Sequence, residues 1–348
     1  MPEVSVIVPL YNAIEYLKKG HLDYIFRQTM NDWELILVDD GSVDDTYEYA
    51  NEIASKDQRV IVIKQQNQGA GAARNLGLKE AKGKFVYFMD IDDSIEPDLF
   101  EYCSKEMNCH QLDMMIFGFE VLTEHNNQKE DVSFVYQILP SNTQLKEAFV
   151  EDILLVRHGN GFVWNKFYRR SFLKKVNAKF PIQRIQEDEL FNLQLYPHAH
   201  CVLLSDRVLY HYNIPASGNT QSRYFSGLFD MFVNVRNAYE HMIQVWELQS
   251  QLLKDYLDEK FYRELNLSVC DNLLNKCQSK LSDKKKSFCL MIENNYSQQA
   301  IETKWSNCNR LEDKMLLSGY RRKTLLQVAT TAKLFQIARF IKHCIPEL

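Results

Sequence analysis

The chain has 348 residues, 45% of them hydrophobic and 25% charged, and a formal net charge of -5 at pH 7. That length and apolar content support a sizeable core, in one large domain with an appendage or in two domains, and exclude a disordered acidic chain. The charge leaves no nucleic-acid footprint. The eight cysteines form no C-x-x-C pair and no histidine stands at zinc-finger spacing, so reduced thiols in a cytoplasmic protein are expected. The opening MPEVSVIVPLYNA has no basic lead segment, and its apolar stretch is too short for a signal peptide or a spanning helix, so nothing requires export.

Four short runs of β-branched and aromatic residues come first: VSVIV at 4–8, ELILV at 34–38, VIVI at 60–63 and FVYFM at 85–89. Stretches of helical character, DTYEYANEIASK and GAARNLGLKEAKG, separate them. This alternation predicts βαβ crossovers and an α/β fold, a mainly parallel sheet with helices on both faces. Ligands of such a sheet bind beyond the carboxyl ends of the strands, and polar residues follow three of the four runs. Tyr11 and Asn12 follow the first, DDGSVDD the second, and DIDD the fourth.

Composition then changes once. Of 12 glycines only Gly319 lies beyond residue 227, and of 8 prolines only Pro346 lies beyond residue 215, which predicts a mostly helical last third. Residues 226–348 hold 18 Lys/Arg against 14 Asp/Glu, net +4, and residues 1–225 hold 23 against 32, net -9. A boundary near residue 222 divides a domain of residues 1–222 from a helical region of residues 223–348.

The polar clusters each admit two readings. In DDGS, Ser42 and Asp45 have the spacing of a capping box, which leaves Asp39 free to accept the imide N–H of a base such as uracil. QGAGAARNLG carries Gly69 and Gly71 of a G-x-G-x-x-G pattern with Arg74 in the third place, and Asp90 stands where a ribose-binding acid would. A nucleotide-binding oxidoreductase is therefore one alternative; a helix start packed tightly, or one that receives a phosphate-bearing ligand, is another. Asp90, Asp92 and Asp93 sit within four positions after a run that reads as a buried strand. Like charges that close repel, and a divalent ion such as Mg²⁺ or Mn²⁺, held by one or two carboxylates together with diphosphate oxygens and water, would answer the repulsion. In QEDELFN, the acids Glu187, Asp188 and Glu189 open a helix, where the helix dipole alone would favour them. Trp164 is either core or a face for a sugar, and His211 is a strand-end histidine or a neighbour of the metal. HYNIPASGNTQSR, 211–223, reads as a polar loop that could close over a ligand.

The segments VSVIVPLYNAIEYL, WELILVDDGSVDDT, NQGAGAARNLGL, YFMDIDDSIEPD, VWNKFYRRSFL and QEDELFN stand in the order and at about the spacing of the bacterial family 2 glycosyltransferases, which the chain resembles over residues 3–220. The resemblance implies a GT-A fold, a nucleoside-diphosphate sugar donor, Mn²⁺ or Mg²⁺, and inversion at the anomeric carbon. It places Pro9, Tyr11 and Asp39 at the nucleoside, Arg74 near the donor, Asp90 and Asp92 in the D-x-D with Asp92 on the metal, and Asp93 near the sugar. It puts acceptor contacts around Trp164 and makes Asp188 the general base. The implied acceptor is a growing glycan or lipid-linked saccharide of a bacterial surface polysaccharide. A catalytically inactive sugar-nucleotide or glycan-binding module is a further alternative. The last segment, residues 320–348, has six Lys/Arg and one acid among aliphatic and aromatic residues, which suits either an anionic membrane surface or packing on the catalytic domain.

Overall fold

The computed structural model describes residues 1–123, 128–156, 161–214, 224–308 and 310–344. The chain divides into two compact units, Met1–Asn219 with His241–Leu248, and Thr220–Glu240 with Gln249–Leu348.

The first unit is built on the expected alternation. Strands β1 (Val4–Leu10), β2 (Trp33–Asp39), β3 (Val60–Lys64) and β4 (Phe85–Phe88) run parallel in the order β3-β2-β1-β4, connected by helices α1 (Ile14–Lys18), α2 (Asp23–Phe26), α3 (Thr46–Lys56) and α4 (Ala70–Glu80). These strands read as unbroken apolar runs because both faces of a parallel sheet are covered; β2 and β4 are buried at every position. Helix α4 lies so close to β1 that a Cβ at Gly77 would collide with the side chain of Ile7. Buried Glu34 ties down the following turn, its Oε1 accepting from Ser5 Oγ at 2.6 Å and from the amides of Lys82 at 2.6 Å and Gly83 at 3.1 Å.

Beyond β4 the sheet becomes mixed. Strand β9 (Lys166–Arg169) pairs antiparallel to both β4 and β6 (Met114–Thr123), β6 pairs parallel to β10 (Val202–Ile214), and the two-residue β5 (Ser94–Ile95) closes the order on β10. Short strands β7 (Gln128–Val132) and β8 (Gln137–Leu139) pair with β6 and β10. Helices α5 (Leu99–Cys109) and α6 (Asn142–Ala148) precede β9 in the chain, and α7 (Arg170–Lys175) and α8 (Glu187–Leu195) lie between β9 and β10.

The second unit is helical, as the loss of glycine and proline predicts. It comprises most of α9 (Leu228–Trp246), then α10 (Gln251–Asn266), α11 (Leu281–Glu293), α12 (Asn295–Asn307), α13 (Leu311–Arg321) and α14 (Leu325–Cys344). Its core includes Phe261, Leu265, Val269, Phe288, Leu317, Tyr320 and Val328. A buried ion pair is embedded there: Arg236 Nη1 meets Asp258 Oδ1 at 3.1 Å, and Gln299 and Thr303 satisfy the rest of that carboxylate. No helix among the described residues is long and apolar enough to cross a membrane.

Candidate active site

The carboxyl ends of β1, β2 and β4 lie side by side in the sheet, and Arg74 of α4 links the loop after β4 to the first turn of α8. Leu10 pairs with Asp39 and Pro9 with Val38, so Pro9, Tyr11 and Asp39 fall on neighbouring strand ends. Pro9 is half-buried and Tyr11 is 52% exposed, an open aromatic face at the rim. Two loops lock together there, since Ser42 Oγ accepts from the Asn12 amide at 2.9 Å and Asn12 Oδ1 accepts from the Val43 amide at 3.0 Å. The capping box expected of Ser42 and Asp45 is not formed. Helix α3 starts one residue after Asp45, whose side chain makes no cap bond, and Ser42 is taken by the cross-loop contact.

Asp39 is fully buried. Its Oδ1 accepts from the Ser42 amide at 3.3 Å, whereas its Oδ2 has no hydrogen-bond partner among the described residues, with Lys64 Nζ 3.8 Å away. A buried acceptor left open in this way fits a donor brought by a ligand. Asp40, next in the chain, does something the sequence does not announce. Its carboxylate accepts from Gln65 Nε2 at 2.7 Å and from the amides of Gln68 and Gly69, each at 2.8 Å, and so shapes the loop that enters α4. Gly69 takes φ +97°, which a side chain would disfavour. Gly71 is needed for proximity, because a Cβ there would stand 3.1 Å from Glu187 Cγ and 3.2 Å from Phe180 Cβ.

Arg74 is the hub. Its side chain is 4% exposed; Nη1 donates to Glu187 Oε1 at 3.0 Å and to Asp188 Oδ1 at 2.8 Å, and Nη2 donates to Asp90 Oδ1 at 2.8 Å. Burial alone would lower its pKa, but Asp188, Asp90 and Glu187 outweigh burial and hold it firmly protonated. Through one guanidinium the loop after β4 and the first turn of α8 face the same space.

Two carboxyl groups here, Asp92 and Asp188, are raised. Burial, then Asp90, pushes Asp92 up to about 6. Burial also pushes Asp188 up to about 8, against the opposing pull of Arg74 and Lys166. Lys166, on β9, is itself fully buried; burial draws it down to about 7 while Asp188 and Glu189 pull it upward. Its Nζ donates to the Phe162 carbonyl and to Asn165 Oδ1. The sequence offers one signal for it, a lysine inside the largely aromatic VWNKFY.

Two expected site residues lie elsewhere. Asp93 is fully buried, with its carboxylate oxygens taken by the Tyr210 hydroxyl and the Asn213 amide, so it anchors β10 and offers no oxygen to a sugar. Trp164 is 2% exposed and stacked at 4.2 Å on Tyr210 and 4.3 Å on Phe162, which leaves no open ring face for an acceptor. His211 is held by two glutamates, Nε2 to Glu96 at 2.8 Å and Nδ1 to Glu120 at 3.1 Å. Of the loop expected to act as a lid, residues 215–223 lie outside the described residues.

Among the described residues no three His, Cys, Asp or Glu side chains converge as a metal cage. The donor set fits an ion of the Mg²⁺ or Mn²⁺ type, which takes only one or two protein carboxylates and completes its shell with water and phosphate oxygens. Asp92, half-buried beside Asp90 and without a cation of its own in the Arg74 network, is the carboxylate suited to that role.

Comparison with known proteins gives the family and the fold. The family model for "Glycosyl transferase family 2" matches residues 5–176. EpsH of Bacillus subtilis (strain 168), whose name calls it a glycosyltransferase, is 35% identical over 277 residues, 77% of this chain and 76% of its own. S. aureus TarS 1-349 in complex with UDP-GlcNAc superposes with a TM-score of 0.63 at 23% identity, over 97% of this chain and 92% of that one. The mannosyltransferase PcManGT of Pyrobaculum calidifontis, in complex with GDP-Man and Mn²⁺, gives a TM-score of 0.51 at 15% identity, over 100% of this chain and 88% of that one. The fold is therefore GT-A, and the oxidoreductase alternative falls away. With the family model matching the parallel strands and continuing through β9, and EpsH matched over most of both chains, the chain belongs to glycosyl transferase family 2.

Proposed function

We propose that this glycosyltransferase is inverting and metal-dependent, and that it moves a hexosyl or N-acetylhexosaminyl group from a nucleoside-diphosphate sugar, UDP-linked, to a hydroxyl of a growing glycan or lipid-linked saccharide in bacterial surface polysaccharide synthesis. The observation that carries this reading is the Arg74 bridge, which aims the donor-side Asp90 and the acceptor-side Asp188 at one space. The unpartnered Asp39 Oδ2 supports uracil, whose imide offers a single N–H to one buried acceptor. The TarS complex with UDP-GlcNAc and the PcManGT complex with Mn²⁺ have the same fold and support the same classes of ligand here.

In this account Tyr11 and Pro9 border the nucleoside and Asp39 reads the base. Asp92 would hold Mn²⁺ or Mg²⁺, which when bound would supply positive charge to the diphosphate leaving group. Ionised Asp188 accepts the proton of the acceptor hydroxyl. The hydroxyl oxygen bonds to the anomeric carbon from the face opposite the diphosphate; the bond from that carbon to the diphosphate oxygen breaks, and its electron pair stays on the diphosphate. Arg74 keeps Asp188 and Asp90 oriented throughout.

A screen of nucleoside-diphosphate sugars, by thermal shift and slow hydrolysis with and without Mn²⁺, tests the reading. Stabilisation and hydrolysis confined to UDP-sugars with metal are expected. Donor binding without hydrolysis would favour the inactive-module reading, and no response to any nucleotide sugar would overturn both.

The basic C-terminal segment supports docking at the inner face of the membrane. Exposed Leu326 and Leu334 accompany exposed Arg322 and Lys333 on α14 and the turn before it. Flotation with phosphatidylglycerol vesicles should be lost in an Arg322→Glu, Lys333→Glu variant. Unchanged flotation, or none in the parent, removes this role.

A further inference from the structure

The segment that leads into α8 is gripped by a side chain that the charge network does not use. Asn75, beside Arg74 on α4, makes two hydrogen bonds to one backbone residue 105 positions away: its Oδ1 accepts from the Phe180 amide at 2.8 Å, and its Nδ2 donates to the Phe180 carbonyl at 2.8 Å. Phe180 lies outside regular structure, and Asn75 satisfies both of its backbone groups.

The ring of Phe180 carries the grip onward. It stacks on Phe191 of α8 at 4.0 Å and 7°, and meets Phe88 of β4 edge-on at 5.2 Å. Phe191 is three residues beyond Asp188, close to one helical turn, and Phe88 is two residues before Asp90. Gly71, a turn earlier on α4, allows the close approach of both Phe180 and Glu187. Phe180 is thus where α4, β4 and α8 meet, and Asn75 decides where Phe180 stands.

We propose that Asn75 is a positioning residue for transfer: through the backbone of Phe180 it sets the placement of α8, and with it the point at which Asp188 receives the acceptor hydroxyl. Arg74 orients the Asp188 carboxylate itself, whereas the backbone of the segment that enters α8 is held by Asn75. A pair of amide bonds to one residue is directional. The inference rests on Asp188 being the base, as argued above.

The test measures kcat and donor KM, with UDP affinity by calorimetry, for Asn75→Ala and Asn75→Gln in the full chain, below each variant's unfolding midpoint. A misplacement of about 1 Å costs up to roughly 100-fold in rate. The expected result is a fall in kcat of about 10- to 100-fold in both variants, the longer Gln amide failing to restore it, with donor KM and UDP affinity within about twofold of the parent. Variants with parental kcat and a lower melting temperature would overturn the proposal, as would equal losses of kcat and UDP affinity. Should the Ala variant fail to fold, Asn75→Ser is judged by the same thresholds. Failure of the base reading itself is seen separately, as parental kcat in Asp188→Asn.

Discussion

Arg74 and Asp188 are 114 residues apart in the chain, and Arg74 Nη1 stands 2.8 Å from Asp188 Oδ1. The contact joins α4, which follows β3, to α8, which lies between β9 and β10, so elements from both halves of the sheet share one charged centre. Three carboxylates converge on this one arginine.

Asp188→Asn is expected to abolish transfer while the fold persists, because Asn retains an oxygen to accept from Arg74. Burial raises the Asp188 pKa to about 8 in the folded state. For a carboxyl raised on folding, the favourable contribution is present below the ordinary aspartate range, and it is lost as pH rises through the folded value. The Asn variant should therefore melt at or above the parent's temperature at pH 8, and scanning calorimetry measures this. A clearly lower melting temperature at pH 8 would show that ionised Asp188 stabilises the fold.

The same shift sets the rate profile. A general base works ionised, so the acid limb of kcat/KM should lie well above the usual carboxylate range. Buried Lys166 pulls Asp188 downward, so Lys166→Met should move that limb to higher pH. A limb near pH 4 in the parent, or a downward move in the variant, contradicts the electrostatic picture.

Arg74→Met removes the cation and leaves its acids facing one another. Breaking a buried ion pair costs about 3 to 5 kcal/mol. The partners here retain some solvent, so about 3 kcal/mol is expected at pH 8 by urea unfolding, shrinking toward pH 5 as Asp188 takes up its proton. Arg74→Lys keeps the charge but loses the fork, and should recover stability without recovering full activity. A pH-independent loss would mean that packing, rather than charge, dominates.

Gly77→Ala tests the contact of α4 with β1. The added methyl meets the Ile7 side chain, and an overpacked core contact costs about 1 to 3 kcal/mol. Alanine is otherwise the better helix former, so a stability gain would show that α4 has room to shift.

Much of this was legible because it is local. The apolar runs ending in polar residues mark β1, β2 and β4 and the acids beyond them, and the loss of glycine and proline marks the helical region. What depends on distant partners was hidden. Nothing around Asp40 announces acceptance from Gln65, Gln68 and Gly69, and nothing in NLGL announces the grip of Asn75 on Phe180. Residue type misled at two positions. An aspartate beside a D-x-D and a tryptophan near the acceptor side both read as ligand contacts, yet Tyr210 covers each of them. Ser42 has the spacing of a cap but finds a partner across two loops.

The central claim is a division of labour, with Asp92 gripping the donor through a divalent ion and Asp188 acting on the acceptor. Calorimetric titration of UDP with Mn²⁺ into the parent, Asp92→Asn and Asp188→Asn tests it most directly. The account predicts binding that needs the ion, weakened at least about tenfold in Asp92→Asn and unchanged within about twofold in Asp188→Asn. Equal affinity in all three proteins, or an equal loss in both variants, would contradict it.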